Sequence, residues 1–310
     1  MSLTLSRHRR RCMLARGLLA AVCVLTSRAI EGQSATTPAQ REIPTPPPLP
    51  GVVERYADVP GARLFYLDGG GSGVPVVFMH AGTGSVRVWE HQVAAFAAAG
   101  FRFIAYDRRG YGRTAVDSGG PVGTAAGDLE ALILHLGIDR FHLVGTAAGG
   151  GVSFDYALSF PHRLRSLTVA NSVGNVSDSS YRATLDRMLP SSFSALPPDL
   201  RELGPSYRAA NAEGTRRWLD LEHFSRAPGR RPPAQPARTR VTFAALESLV
   251  PPTLLITGDA DLYTPPALLR LFMQRIRGAE SLIVPEVGHS TYWERPELFN
   301  STVIAFLRKH

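Results

Sequence analysis

Short apolar runs alternate along this chain with longer stretches whose apolar residues return every three or four positions. The runs at 74–79, 101–106, 141–144, 164–170, 253–257 and 281–284 are largely hydrophobic, the pattern of strands buried on both faces of a sheet. Two earlier runs, 52–57 and 62–68, flank Pro60-Gly61 and predict a hairpin-like start. Helical spacing fills the gaps at 89–99, 124–136, 152–160, 265–277 and 296–307; in the second of these Leu129, Leu132, Ile133 and Leu136 share one face. Strand and helix in turn predict an α/β fold, a mainly parallel sheet with helices on both faces.

Between residues 174 and 240 this alternation stops. Prolines and arginines crowd the segment, as in Pro197-Pro198 and Arg230-Arg231-Pro232-Pro233, and helical pieces appear near 181–189 and 215–224. The segment predicts a helical cap inserted between two parts of one core, 52–173 and 241–310. Ahead of the core lie a leader, 1–33, and a Pro-rich linker, 34–51, which contains Pro46-Pro47-Pro48 and predicts an extended spacer.

The junction at 145–151 carries the first chemical signal. Gly145-Thr146-Ala147-Ala148-Gly149 follows a strand and opens a helix, with the glycine spacing of the G-x-S-x-G nucleophile elbow. Its central residue is Ala147, which has no oxygen. Moving the register to Thr146 places Val144 and Ala148 where glycines belong and is rejected. Farther on, Gly258-Asp259-Ala260-Asp261 ends one strand and Gly288-His289-Ser290 follows another.

These motifs, in this order, resemble the α/β-hydrolase fold family of the capped type, and the resemblance runs from about residue 52 to the C-terminus. It implies an eight-stranded-type sheet, with Asp261 as the acid that orients His289 toward the elbow. Asp259 is the competing acid, with a turn role as its alternative. His80-Ala81-Gly82 resembles the family's His-Gly loop, with alanine for the first glycine. Carried over, one oxyanion N–H belongs to Gly82, beside Thr83, and the other to Ala148, after the nucleophile position. The loop Asp107-Arg108-Arg109-Gly110-Tyr111-Gly112 has an architectural role in the family.

Three accounts of the alanine stand open. The chain is a hydrolase using another nucleophile, with Ser85, Ser172, Ser290 or a water activated by His289 as candidates; Ser172 follows the strand beside the elbow. It is a cofactor-free His–Asp acid–base enzyme of lyase or oxygenase type. Or it is a non-catalytic small-molecule binder. A substitution introduced to trap substrate is a fourth origin for Ala147. Asp261, His289 and both glycine-rich loops together favour an enzyme acting on a small organic molecule.

Charge and composition change this picture little. The net charge is +8, of which residues 1–34 hold +5 through six arginines and Glu31, leaving +3 for the rest. That remainder gives no support to a nucleic-acid partner. Six cap arginines (182, 187, 201, 208, 216 and 217) leave an acidic substrate open. Metal-ligand spacing, a dinucleotide fingerprint and a phosphate loop are all missing, so no cofactor and no metal are implied. The leader has a basic start at 7–11, a short apolar core at 17–25 and small residues at 27–29. That layout predicts a cleaved signal and export to the periplasm or beyond, and Arg10-Arg11 resembles a twin-arginine signal. The apolar core is too short for a stable membrane span. Cys12 and Cys23, the only cysteines, both fall in the leader.

Overall fold

The computed structural model describes residues 45–226 and 234–310, so the leader and most of the linker lie outside the described residues. The strands are β1 (Val53–Val59), β2 (Ala62–Asp68), β3 (Pro75–Met79), β4 (Arg102–Tyr106), β5 (Ala115–Val116), β6 (Phe141–Thr146), β7 (Leu164–Ala170), β8 (Thr253–Gly258) and β9 (Glu280–Val284). They form one sheet in the order β1-β2-β4-β3-β6-β7-β8-β9, with the short β5 on β2. The hairpin pairs in register from Val53 opposite Asp68 to Val59 opposite Ala62. From β4 through β9 every pairing is parallel.

Both faces of the sheet are covered, as the continuous apolar runs require. Successive side chains of a strand point to opposite faces. Val77 and Met79 therefore join one core with Leu129, Ile133, Phe154 and Phe272. Val76 and Phe78 join the other, with Trp89, Phe96, Phe103 and Phe299. Each such side chain, fully removed from water, contributes about 1.5–3 kcal/mol before entropy is counted.

The core helices are α1 (Val93–Ala98), α2 (Ala125–His135) and α3 (Ala148–Ser159). The cap holds α4 (Ser179–Met188), α5 (Pro198–Glu202), α6 (Pro205–Ala210) and α7 (Ala212–Ser225). The chain then returns through α8 (Phe243–Leu246), α9 (Pro266–Met273), α10 (Thr291–Glu294) and α11 (Pro296–Leu307). Its entry and exit are clamped together. Ser177 N–H donates to the Val241 carbonyl at 2.9 Å, and Phe243 N–H to Asp178 Oδ2 at 3.0 Å.

Four differences from the sequence reading have physical causes. The helix expected at 89–99 is split into a 3-10 turn, Val86–Trp89, and α1. Helix α3 starts at Ala148 rather than 152, because the three glycines that read as loop form its first turn. Pro198 and Pro205 start helices instead of breaking them, since a first-turn proline lacks only an N–H that has no intrahelical partner. Finally, the last part of the linker is not a free spacer: Pro46 and Leu49 are buried, and the Pro47 carbonyl accepts from Arg87 Nη1 at 2.9 Å.

Candidate active site

The chain leaves β3 for β4 on one side and later enters β6 on the other. At such a reversal the loops after the two strands part, and a crevice opens at their carboxyl ends. The His80–Thr83 loop follows β3, Ala147 follows β6, Asn171 follows β7, Asp261 follows β8 and His289 follows β9. The His80–Thr83 loop, Ala147, Asp261 and His289, which the sequence singled out, therefore meet at one rim, together with Asn171, which it did not.

Ala147 sits at φ 49°, ψ −117°, a sparsely populated conformation that costs of order 1–3 kcal/mol for a residue with a Cβ. Neighbours hold it there. Its N–H donates to the Ala170 carbonyl at 2.9 Å, and its carbonyl accepts from Ser172 Oγ at 2.6 Å. The glycine frame is needed for space. A Cβ on Gly145 lies 2.2 Å from Ser153 Oγ, and one on Gly149 lies 2.4 Å from the Met79 carbonyl oxygen. The strained elbow is thus built in full around a methyl group.

Ser172 does not stand in for the missing hydroxyl. Its proton goes to the Ala147 carbonyl, its oxygen accepts from Gly174 N–H at 3.0 Å, and it lines a separate, apolar cavity with Phe154 and Leu269. It is a turn residue that fastens the elbow to β7. Ser85 is buried and accepts from Arg87 N–H at the start of the 3-10 turn. Ser290 is buried as well, just ahead of α10.

His289 Nδ1 lies 2.9 and 2.8 Å from the two oxygens of Asp261. A carboxylate can only accept, so Nδ1 carries the proton and Nε2 is left as the basic nitrogen. Asp261 also accepts from Tyr263 N–H at 2.8 Å, Thr264 N–H at 2.9 Å and Asn171 Nδ2 at 3.0 Å, and from the Thr264 hydroxyl. Burial pushes this carboxyl up, but His289 and these donors outweigh it and hold it at about 2. Burial pushes the His289 imidazole down; the charge of Asp261 beside it outweighs that and leaves it raised above 6.5. Asp259 does not compete: its Oδ1 accepts from Glu286 N–H at 2.6 Å, a turn contact.

The facing loop is fixed by His80. Its Nδ1 meets the Ala81 carbonyl at 2.7 Å, and its Nε2 accepts from Arg108 N–H at 3.0 Å. Burial drives this imidazole well below the ordinary histidine range, so it is neutral and structural. Arg108 Nη2 also donates to the Ala81 carbonyl at 3.1 Å, and Arg109 forms a buried, two-pronged pair with Asp128. Both arginines serve the architecture that the sequence implied. Gly82 adjoins Ala148; a Cβ there lies 3.7 Å from that of Ala148. The Gly82 N–H makes no backbone hydrogen bond among the described residues, and Ala148, at the first position of α3, has no intrahelical acceptor.

Gly82, Ala147, Ala148 and His289 line one cavity of about 280 Å³ with Thr83, Val173 and Tyr263. Two further wall residues went unnoticed in the sequence. Glu202, at the end of α5, is buried, and Arg226 follows α7. Asn171 was also missed. Fully buried at φ 48°, it donates to Asp261 and to the Gly288 carbonyl at 3.2 Å, and accepts from the Thr291 hydroxyl at 2.7 Å. No local motif marks any of the three. Of the cap arginines, Arg201 reaches this cavity and donates to the Tyr263 hydroxyl at 3.0 Å. Arg217 pairs with Glu90 at 2.9 Å.

Sequence and structure comparison identify the family. Residues 74–197 match the alpha/beta hydrolase fold family and residues 229–310 the family described as TAP-like protein. A putative carbamate hydrolase of Caulobacter is 30% identical over 248 residues, spanning 74% of this chain and 90% of that protein. A putative non-heme bromoperoxidase of Mycobacterium tuberculosis is 29% identical over 267 residues, spanning 77% and 95%. In fold, the enol-lactonase of Burkholderia xenovorans superposes with a TM-score of 0.68 at 23% identity, over 82% of this chain and all of that one. Sheet order agrees with these matches, and the chain belongs to the α/β-hydrolase family as a hydrolase-type enzyme.

Proposed function

We propose that this enzyme hydrolyses a small carbonyl compound, an ester or a related acyl derivative, by activating water directly rather than through a covalent intermediate. The observation that carries the reading is the bond between His289 and Asp261, intact in a cavity that Ala147 also lines. A serine hydroxyl is missing there, and in this reading a water takes its place beside the Ala147 methyl group, in the cavity that His289 also lines. Nε2 takes a proton from that water, which attacks the carbonyl carbon. Asp261 stabilises the imidazolium that forms and keeps the productive tautomer. The Gly82 and Ala148 N–H groups receive the oxyanion, each contributing about 3 kcal/mol in the transition state.

The test compares the protein with His289→Ala on nitrophenyl esters, carbamates, lactones and carbon acids. Hydrolysis should be lost in the variant while circular dichroism still shows it folded; its melting temperature should fall, because His289 is buried against Asp261. Turnover of carbon acids alone favours the acid–base alternative, in which His289 abstracts a proton from carbon. Ligand binding without turnover of any class favours a binder. Equal ester rates in the two proteins remove His289 from the mechanism.

Export of a cleaved chain belongs to the same proposal and rests on the leader's residue pattern. N-terminal sequencing of the protein from its native cell should find a start after Ala29 or within a few residues of it. An intact Met1 in a cytosolic fraction refutes export.

A further inference from the structure

We infer that Glu202 is a second catalytic group of this cavity, a general acid that protonates the leaving group while His289 takes a proton from the attacking water. The inference rests on the hydrolytic reading above. In a serine hydrolase one imidazole takes a proton and then passes it to the leaving group within each half-reaction. In direct attack by water a second buried acid of the same cavity can serve the departing group without that imidazolium having to reach it. His289 has one usable nitrogen, because Nδ1 is held by Asp261. Once Nε2 has taken the water proton, a donor elsewhere can meet the departing group.

Glu202 is placed for this. It ends α5, so the cap delivers it to the cavity that Ala147 and His289 also line. The cap residue is locked to the histidine loop: His289 N–H donates to the Glu202 carbonyl oxygen at 2.8 Å. Glu202 as a whole is 4% exposed. The carboxyl interacts with the hydroxyls of Thr83, beside the oxyanion loop, and of Tyr263. It also feels the charges of His289, Arg201 and Asp261, and Tyr292 lies within its field. Burial favours its neutral form and raises its pKa, more than the cations His289 and Arg201 lower it.

The step balances without a further reagent. Water oxygen bonds to the carbonyl carbon as its proton passes to Nε2 of His289. The carbon–oxygen bond to the leaving group breaks as the Glu202 proton moves to the departing oxygen. An imidazolium and a Glu202 carboxylate remain, and one proton passing from His289 to Glu202 restores both.

Leaving-group dependence separates a general acid from a structural residue, since a nitrophenolate departs unaided and an alkoxide does not. The parent, Glu202→Gln, Glu202→Asp and His289→Ala are assayed on p-nitrophenyl butyrate and on ethyl butyrate across pH. Glu202→Gln should lose about 10²–10⁴-fold on the ethyl ester, the usual worth of a positioned acid, and less than about tenfold on the nitrophenyl ester. The alkaline fall in kcat/KM on the ethyl ester should vanish with it. Glu202→Asp keeps a titrating carboxyl and should retain that fall. Equal losses on the two esters, or none, overturn the role of Glu202 while leaving His289 in place. A parent no faster than His289→Ala on either ester overturns the hydrolytic reading and this inference together.

Discussion

Replacing Ala147 with serine tests the placement of the whole rim in one substitution. The backbone strain is already present, at φ 49°, and is held by contacts to Ala170 and Ser172 that a hydroxyl does not touch. Ala147 is partly open to the cavity. Stability should therefore change by less than the roughly 1 kcal/mol of an average substitution. The chemical effect is far larger. Loss of a complete triad costs about 10⁶ in kcat where it has been dissected, and a misplacement of about 1 Å costs about 10²-fold. A serine that has not been tuned for this site should then raise activated-ester turnover by about 10⁴-fold. Stopped-flow assay with nitrophenyl acetate should show a burst of nitrophenolate close to one equivalent of enzyme, because an acyl-enzyme accumulates. Mass spectrometry should find acetyl on residue 147, and a fluorophosphonate that the parent ignores should label it. A folded A147S protein inert to both reagents means that His289 Nε2 does not face the elbow. The assignment of the His289–Asp261 dyad then fails.

Three other substitutions probe the supports of the site. Gly149→Ala puts a Cβ 2.4 Å from the Met79 carbonyl, in the centre of the sheet, and should destabilise by about 1–3 kcal/mol; an unchanged denaturant midpoint contradicts that packing. Asn171→Ala removes a donor to Asp261 and a partner of Gly288 and Thr291. It should cost about 1–3 kcal/mol and lower kcat, whereas a full kcat means that Asp261 is oriented without Asn171. Glu294 is buried, and desolvation raises its carboxyl from 4.5 to about 7 against the N–H groups of Gly288, Gly204 and Ser290. Between those values the folded chain holds a proton that the unfolded chain has lost, so this group's contribution is complete below about pH 4.5 and falls as pH rises toward 7. Urea titrations at pH 5 and pH 8 should show a smaller difference in Glu294→Gln than in the parent, by up to about 3 kcal/mol; equal differences refute the shift. Activity has the opposite dependence at its acid limb. His289 must be neutral to accept a proton, and its raised pKa puts the rise of kcat/KM with pH above 6.5; a midpoint below 6 contradicts the pairing with Asp261.

How much of this was legible beforehand follows from the range of the interactions involved. The alternation of apolar runs and helical faces is written locally, because period 2 and period 3.6 are properties of neighbouring residues. The sheet, its hairpin start and the approximate extents of most core elements follow from it. The elbow was legible for a similar reason. Gly145 and Gly149 are excluded from bearing a Cβ by contacts that the tight turn itself creates, so their spacing signals the turn even when the central residue has changed. Asp261 and His289 could be proposed from loop motifs, and their bond was not visible until β8 and β9 set them side by side.

The rest depends on pieces of chain that meet only after folding. Asn171 looks like an ordinary strand end; its role arises because β7 lies between the elbow strand and the acid's strand. Ser172, adjacent to the elbow in the sheet, was a reasonable nucleophile by sequence, but tertiary geometry turns its hydroxyl onto the Ala147 carbonyl. The first turn of α3 contradicts glycine's poor helix propensity, since close approach to β3 and β7 admits nothing larger. Glu202 is one acid among many in a cap with no repeating pattern. What distinguishes it is burial beside His289, and burial there is decided by the fold of the cap over the strand ends. Local periodicity thus determined the frame, glycine spacing marked the alanine elbow, and the resemblance to the α/β-hydrolase family picked out the loops that carry the acid and the histidine. Only the packed structure decided which polar groups lost their water and faced one another in the cavity.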